Sequence, residues 1–336
     1  MYKNIMSDTT TSELKGGVAL NYDSNEYTRI AYYYYKRGMT QDEIAQKLNM
    51  SRPRVNRILN RCRELGIVKI TIHGISEEYY DLERNLEKLY QLRDVRIVET
   101  NEEDLYNALG ILSGDYLTEV IKDGDIIGFS RGQAVSALVN HMQPINQCNL
   151  TVTQLLGGWN YDNTQTNVDD IVHRFSTKIK AKARYLYAPV LVHSSKLKEA
   201  LIEEPFFIEA YNIIKSCNIA AVGIGNVKDK PYFMNTSMID ENDYCNLQKN
   251  NIVGEICSHY FDENGKSILS SLNDKVISVV LDDYMNIPLR IGIAGGEGKL
   301  HAILGAVRGR YINSLITDLK TAQALEQISN NTHDEK

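Results

Sequence analysis

Two groups of residues have the types and spacing to do chemistry. The first is Arg52, Arg54, Asn56, Arg57 and Arg61, with Gln41 and Ser51 just upstream. Arginine can pair guanine O6 and N7, asparagine can pair adenine N6 and N7, and the remaining groups can anchor phosphates. The second group is a set of four glycine-bearing turns, each following an apolar run. They are DGDIIGFSRGQAVSAL (123–138), QLLGGW (154–159), VGIGN (222–226) and IAGGEGKLHAIL (293–304). Amides of Ser130, Arg131, Gly132 and Gln133 at a helix start can cradle a phosphate, and Arg131 can add charge. One such turn is explained by tight geometry alone. Four at strand ends in one region favour a small anionic ligand, with Gly157, Gly158 and Gly225 in the turns and Lys299 as a further cation. Glu255, in GEICSHYFDENGKSI (254–268), offers a carboxylate acceptor for sugar hydroxyls. Asp262 reads as a turn former, and Asp318 reads equally well as a site residue or as the cap of the last helix.

The first group needs a framework of helices. Tyr27, Ile30, Ala31, Tyr34 and Tyr35 recur at the spacing of one helix face, and Gly38 stops that helix. Thr40 and Glu43 form a capping box for a second helix burying Ile44, Ala45 and Leu48. A short turn leads to Ser51 as the next N-cap and Pro53 in the first helical turn. The third helix, 52–64, buries Val55, Ile58 and Leu59 and exposes the arginines and Asn56. Gly66 ends it, and 67–73 reads as a short strand. The small Ala45 and the tight turn let two helices cross closely, which is the geometry of a helix-turn-helix. A solvated basic helix in an ordinary bundle is the alternative; two caps, a turn and Arg-x-Arg-x-Asn-Arg at one spacing weigh against it.

Charge distribution agrees. The 336 residues carry a net charge of −6, but residues 26–75 hold ten Lys/Arg against four Asp/Glu. Residues 76–336 are net −11 and residues 1–25 net −1. A basic head on an acidic body suits DNA contact by the head alone. With 43% hydrophobic and 24% charged residues the chain is globular in composition and long enough for two domains. The five cysteines are dispersed without a C-x-x-C pair, and Cys257 with His259 is too few ligands for a metal site. No metal, cofactor or catalytic residue is expected. No apolar run approaches the roughly 18 residues of a membrane span, and 1–25 reads as a flexible tail rather than a secretion signal. These features point to a reducing cytoplasm.

Beyond the head (26–75), Tyr79, Leu82, Leu86 and Leu89 mark a linker helix in 76–93, serving either as a coiled-coil dimer seam or as a helix docked on the body. From 94 to 330, apolar runs at 95–98, 125–129, 150–156, 184–190, 218–225, 276–280, 290–296 and 313–317 alternate with helical stretches. That alternation implies a three-layer α/β domain with a largely parallel sheet, whose ligands bind beyond the carboxyl ends of the strands.

Together these motifs resemble the SorC family of sugar-binding transcription regulators. The head resembles it through RIAYYYYKRGMTQDEIAQKLNMSRPRVNRIL. The body does so through DGDIIGFSRG, QLLGG, AAVGIG, GEICSHYFDENG, IGIAGGEGK and ILGAVRGRYINSLITD, in order over about residues 26–328. The resemblance implies an effector domain with the fold of phosphosugar isomerases, a phosphorylated sugar as effector, operator DNA as partner, and assembly as a homodimer or homotetramer. Carried over by motif, Ser130, Arg131, Gly132, Gln133 and Lys299 meet phosphate, Glu255 binds hydroxyls, and Gly157 and Gly158 line the cavity. Glu255 stands where many relatives have Asp, and Arg131 departs from the family pattern; both bear on which sugar fits. The competing function is a phosphosugar isomerase or deaminase with an accessory DNA-binding head. Such an enzyme needs a positioned base, whereas His173, His193, His259 and His301 are scattered, so the regulator is expected.

Overall fold

The computed structural model describes residues 24–68, 77–158, 164–227, 241–269 and 272–334. The chain separates into two compact units that meet in sequence at Gly74–Ile75.

In the N-terminal unit, α1 (Ser24–Ala31) runs into a π-helical turn, Tyr32–Lys36, and is followed by α2 (Gln41–Lys47) and α3 (Arg52–Glu64). Its core is Ile30, Ala31, Ile44, Ala45, Val55, Ile58, Leu59 and Cys62, with Tyr27 and Tyr33 partly buried against it. The expected stripe breaks after Ala31: Tyr34 and Tyr35 are exposed. A π turn takes more than 3.6 residues, so the face rotates and Tyr33 replaces Tyr34 against the core. Asn49 takes a left-handed φ of 53° in the turn between α2 and α3. The strand expected at 67–73 falls largely outside the described residues.

The larger unit contains α4 (Glu77–Tyr90), β1 (Asp94–Val98), α5 (Leu105–Val120), β2 (Ile126–Phe129), α6 (Gln133–His141), β3 (Thr151–Gln154), α7 (Val168–Ile179) and β4 (Lys182–Arg184). It continues with α8 (Ser195–Ile202), α9 (Pro205–Lys215), β5 (Ile219–Gly223), β6 (Gly225–Asn226), α10 (Glu241–Lys249), β7 (Ile252–Ile256), β8 (His259–Asp262) and β9 (Ser267–Ile268). The last elements are α11 (Leu281–Met285), β10 (Leu289–Ile293), α12 (Leu300–Arg308), β11 (Ser314–Asp318) and α13 (Leu319–Asp334). Seven strands form a parallel sheet in the order β1-β11-β10-β5-β2-β3-β4. One core packs α5, α6 and α7 on the sheet and another packs α4, α9, α12 and α13, giving three layers. An antiparallel sheet, β6-β7-β8-β9, is appended beside α12.

Two of the expected strands differ. RYLYAPV yields only the end of β4, which lies upstream at Lys182–Arg184, and 276–280 makes isolated bridges rather than a sheet strand. Apolar runs of five to seven residues read alike whether they enter a sheet or cross a core as a loop. GEICSHYFDENGKSI, read for its carboxylates, is instead the hairpin β7–β8 and the start of β9. Among the described residues no helix is long and apolar enough to cross a membrane.

Helix α4 docks on the body. Leu86 is fully buried and Leu82 nearly so, each worth about 1.5–3 kcal/mol of apolar burial. It also closes a sheet edge. Among the described residues β1 has a strand neighbour on one side only, and on the other Glu87 Oε1 accepts from Val95 N (3.1 Å) while Glu83 Oε1 accepts from Ile97 N (2.9 Å). One turn apart on the helix, the two carboxylates match the spacing of alternate strand amides. Burial raises the Glu83 pKa above its usual 4.5, against the lowering effects of the Ile97 amide and Arg96.

Glu83→Ala leaves the Ile97 amide without its partner and is expected to cost about 1–3 kcal/mol in urea unfolding. Glu83→Gln keeps the acceptor and is expected to be near neutral. Since the folded state holds the Glu83 proton more tightly, its contribution to stability falls as pH rises from 4.5 through the raised pKa. The Gln variant is expected to lack that part of the slope.

Candidate functional site

The head presents one charged face. Thr40 caps α2: its hydroxyl accepts from Glu43 N (3.3 Å), and Glu43 Oε2 accepts from Thr40 N (2.8 Å). The Thr40 amide, and the Thr40 hydroxyl at 3.0 Å from the same Oε2, hold the Glu43 carboxyl below its usual range. Ser51 is the cap residue of α3, but its side chain makes no capping bond; Pro53 supplies the start signal. Arg52, Arg54, Asn56 and Arg57 are exposed on α3, and Gln41 lies half-buried at the start of α2. Three of the arginines already face carboxylates: Arg52 and Asp42 at 3.6 Å, Arg54 and Glu26 at 2.9 Å, Arg61 and Glu64 at 2.6 Å. Arg57 has no ion pair among the described residues. The sequence reading passed over the aromatic side of this face. Arg29 Nε donates to the Tyr33 hydroxyl at 3.1 Å, and Lys47 lies over the Tyr33 ring at 5.1 Å. A run of four tyrosines (32–35) flanked by Arg29, Lys36 and Arg37 was the available signal.

In the body the order in which the chain lays down the parallel strands reverses between β2 and β5. From β2 the chain steps outward through β3 and β4, then returns to the other flank of β2 at β5 and proceeds through β10 and β11. The carboxyl ends of β2 and β5 therefore lie at the switch point of the strand order, the place where sheets of this kind bind ligands. Ser130 stitches the two ends together. Its hydroxyl accepts from Gly223 N (3.0 Å) and donates to Arg131 O (3.1 Å), and its amide donates to Ala221 O (3.2 Å). Gly132, at φ 124°, donates its amide to Thr166 O at 3.1 Å and starts α6. The Ser130 hydroxyl and amide and the Gly132 amide, expected at the ligand, are thus bonded within the protein and shape the loop. Arg131 and the α6 first-turn amides of Gln133 and Ala134 remain at the switch point, the latter without intrahelical acceptors as at any helix start.

Across the switch point, Gly225 pairs with Glu255 in the small sheet. Glu255 Oε2 accepts from Ser258 N at 2.8 Å, while Oε1 lies over Gly225, 2.5 Å from where a Cβ would stand. Lys299, in a short 3₁₀ turn before α12, reaches back to donate from Nζ to Ile224 O at 3.0 Å. The buried Cys257 thiol is raised mainly by desolvation and further by Glu255, and lowered by Arg131, so both charges act on one spot. His259 is kept below its usual 6.5 by burial, with Nε2 at 2.8 Å from Val279 O. Arg131, Gly225, Glu255 and Lys299 therefore lie about the ends of β2 and β5, whereas Gln133 lines a separate cavity of about 360 Å³ with Tyr106, Asn107, Ser136 and Asn140.

The remaining expected residues sit elsewhere. Asp318 is buried at the end of β11 and its carboxylate is used internally. Oδ2 accepts from Gly296 N (2.7 Å) and Thr321 Oγ1 (2.6 Å), and Oδ1 accepts from Thr321 N (3.0 Å). It caps α13 and anchors the turn that carries Lys299, and it also lines a small cavity with Thr100, Leu105, Gly296 and Lys320. Gly157 is packed against the backbone, where a Cβ would fall 2.5 Å from Pro189 C. Gly158 lines a cavity of about 770 Å³ at the ends of β3 and β4, with Gln154, Asn167, Asp169, Tyr185 and Tyr187. Gln154 donates to Asp169 and accepts from Leu186 N (2.8 Å). Burial raises the Asp169 pKa against the lowering effect of Gln154. These polar residues come from separated segments without a motif, so the sequence did not single them out. Asp262 does form its turn, accepting from Asn264 N and Lys266 N at 2.9 Å.

Comparison with known proteins matches the two units separately. The family model "Putative sugar-binding domain" covers residues 76–326, and a winged helix-turn-helix DNA-binding model covers 31–69. The chain is 32% identical over 298 residues to the deoxyribonucleoside regulator of Bacillus subtilis, covering 88% of this chain and 95% of that protein. It is 30% identical over 304 residues to the sorbitol operon regulator of Klebsiella pneumoniae, covering 88% and 96%. The crystal structure of that full-length regulator, SorC, superposes with a TM-score of 0.70 at 28% identity, covering 91% of this chain and all of the other.

Gly225→Ala tests this site. The added Cβ displaces the flexible Glu255 side chain rather than backbone, so a small change in unliganded melting temperature is expected. Ligand affinity, read from melting shifts over a sugar-phosphate panel, is expected to fall about tenfold or more, the worth of one charge-assisted hydrogen bond.

Proposed function

The chain belongs to the SorC family of sugar-binding transcription regulators, and we propose that it controls a carbohydrate operon in the bacterial cytoplasm in response to a phosphorylated sugar. The head binds operator DNA and the body binds the effector without turning it over. The observation carrying this reading is the switch point of the strand order. There a cationic side with a helix N-terminus (Arg131, Lys299) faces a carboxylate (Glu255). An anion and a hydroxyl-bearing group on one small molecule satisfy both sides. The cavity at the neighbouring ends of β3 and β4 adds amides, a carboxylate and two tyrosine rings, a donor and acceptor set suited to the sugar's remaining hydroxyls.

On the DNA side, the first turns of α3 enter the major groove, with Arg54, Asn56 and Arg57 against base edges and Arg52, Arg61, Gln41 and Ser51 toward the backbone. A homodimer or homotetramer presents paired heads to a two-fold operator. Binding the effector alters operator affinity through a coupling of about 1–3 kcal/mol.

Lys299→Ala is expected to abolish the melting shift given by the effective sugar phosphate while leaving effector-free DNA binding intact; an unchanged shift removes Lys299 from the site. Arg57→Ala is expected to weaken operator binding by about tenfold or more in gel retardation, with the melting temperature unchanged. Turnover of the bound sugar phosphate by purified protein overturns the non-enzymatic reading.

A further inference from the structure

Arg54 stands in the first turn of α3 but its guanidinium is held from another helix. Its Nη2 donates to Glu26 Oε1 at 2.9 Å and to Oε2 at 3.3 Å, and Glu26 lies 28 residues earlier, in the first turn of α1. The side chains are 52% and 27% exposed, so the carboxylate is the better enclosed of the two. The other two pairs of this face differ in kind. Arg61 and Glu64 lie three residues apart on one helix, and Arg52 meets Asp42 only at 3.6 Å with both side chains well exposed. Only the Glu26 pair among these spans from outside the two crossing helices to the helix that carries the base-reading side chains.

A carboxylate on a DNA-facing surface repels phosphates, so its presence there needs a compensating role. Arginine loses much rotamer freedom on binding, and a bond to one edge of its planar fork fixes the plane while Nε and Nη1 stay in geometry to donate elsewhere. We infer that Glu26 is a positioning residue that pre-orients Arg54 for a base edge, so that its carboxylate raises sequence selectivity while lowering general affinity for DNA. This rests on Arg54 reading bases as proposed above. An exposed ion pair has a modest effect, so the expected gain in selectivity is about fivefold.

The test uses full-length wild type, Glu26→Gln, Glu26→Asp, Arg54→Ala and the Glu26→Gln/Arg54→Ala double variant, each checked for unchanged melting. Two duplexes of equal length serve as probes: one enriched on wild type from a randomised library, one unrelated. The quantity read is the ratio of the two dissociation constants. Glu26→Gln is expected to lower that ratio about fivefold, binding the unrelated duplex as well as or better than wild type. Glu26→Asp is expected to fall between, and the double variant to be no less selective than Arg54→Ala alone. Equal tightening on both duplexes makes Glu26 a mere repulsive charge and overturns the inference, as does an unchanged ratio or an additive loss in the double variant. If Arg54→Ala itself leaves the ratio unchanged, the base-reading assignment fails. If Arg54→Ala lowers it and Glu26→Gln does not, only the positioning role fails.

Discussion

The bond from Gly223 N to Ser130 Oγ holds together the ends of β2 and β5, where the strand order reverses. Strands β2 and β5 are adjacent, but the segments leaving them turn apart, and the backbone there has no ladder to continue. An unpaired buried amide costs about 1–3 kcal/mol. Ser130, itself buried, supplies the acceptor and turns the chain into α6. Both flanks of the switch point depend on that stitch. On one side it sets where Arg131 and the α6 N-terminus lie; on the other it fixes the β5 end, from which Ile224 O receives Lys299 and Gly225 faces Glu255.

A second constraint follows from the same topology. A parallel sheet has two edge strands, and among the described residues β1 is one of them. Its outward amides are met by Glu83 and Glu87, so the edge is closed by helix side chains instead of another strand. The helix that leads from the head is for that reason part of the body, and its leucines are core residues.

Periodicity and caps carried much of this into the sequence. The capping box at Thr40 and Glu43, the buried stripe of α3 and the apolar runs of β1, β2, β5, β10 and β11 were all legible because each is encoded within ten or so residues. What was not legible involved partners far apart in sequence. The π turn at Tyr32–Lys36 rotates the tyrosines without a change in pattern. The structural use of the Ser130 hydroxyl was not legible because its partner, Gly223, is 93 residues away. Asp318 could be a cap or a ligand until Gly296 and Thr321 were placed around it. The cavity beside Gly158 joins residues from three segments, none remarkable alone.

These contacts also bear on how an effector could be felt at a distance. Lys299 sits in the turn that begins at Gly296, and Gly296 N is fixed by Asp318. Asp318 opens α13, which meets α4 through Asn85 and Glu326 (2.9 Å) and through the Tyr90 hydroxyl on Leu325 O (2.8 Å). α4 is in turn fastened to β1. Every step is a hydrogen bond worth about 0.5–1.5 kcal/mol net, or somewhat more where a carboxylate takes part. A regulatory coupling of about 1–3 kcal/mol is then the worth of two or three such bonds. A signal of that size needs no rearranged core: re-seating the Lys299 turn is enough if the Asp318 anchor shifts with it. Continuity alone does not make a route, since coupling requires an element with two arrangements that both sites bias. The turn from Gly296 to Lys299 is the element best suited to that role, because it is short, partly exposed and tied to the rest of the body by the Asp318 carboxylate, by Asn226 Nδ2 on Gly298 O and by Lys299 Nζ on Ile224 O.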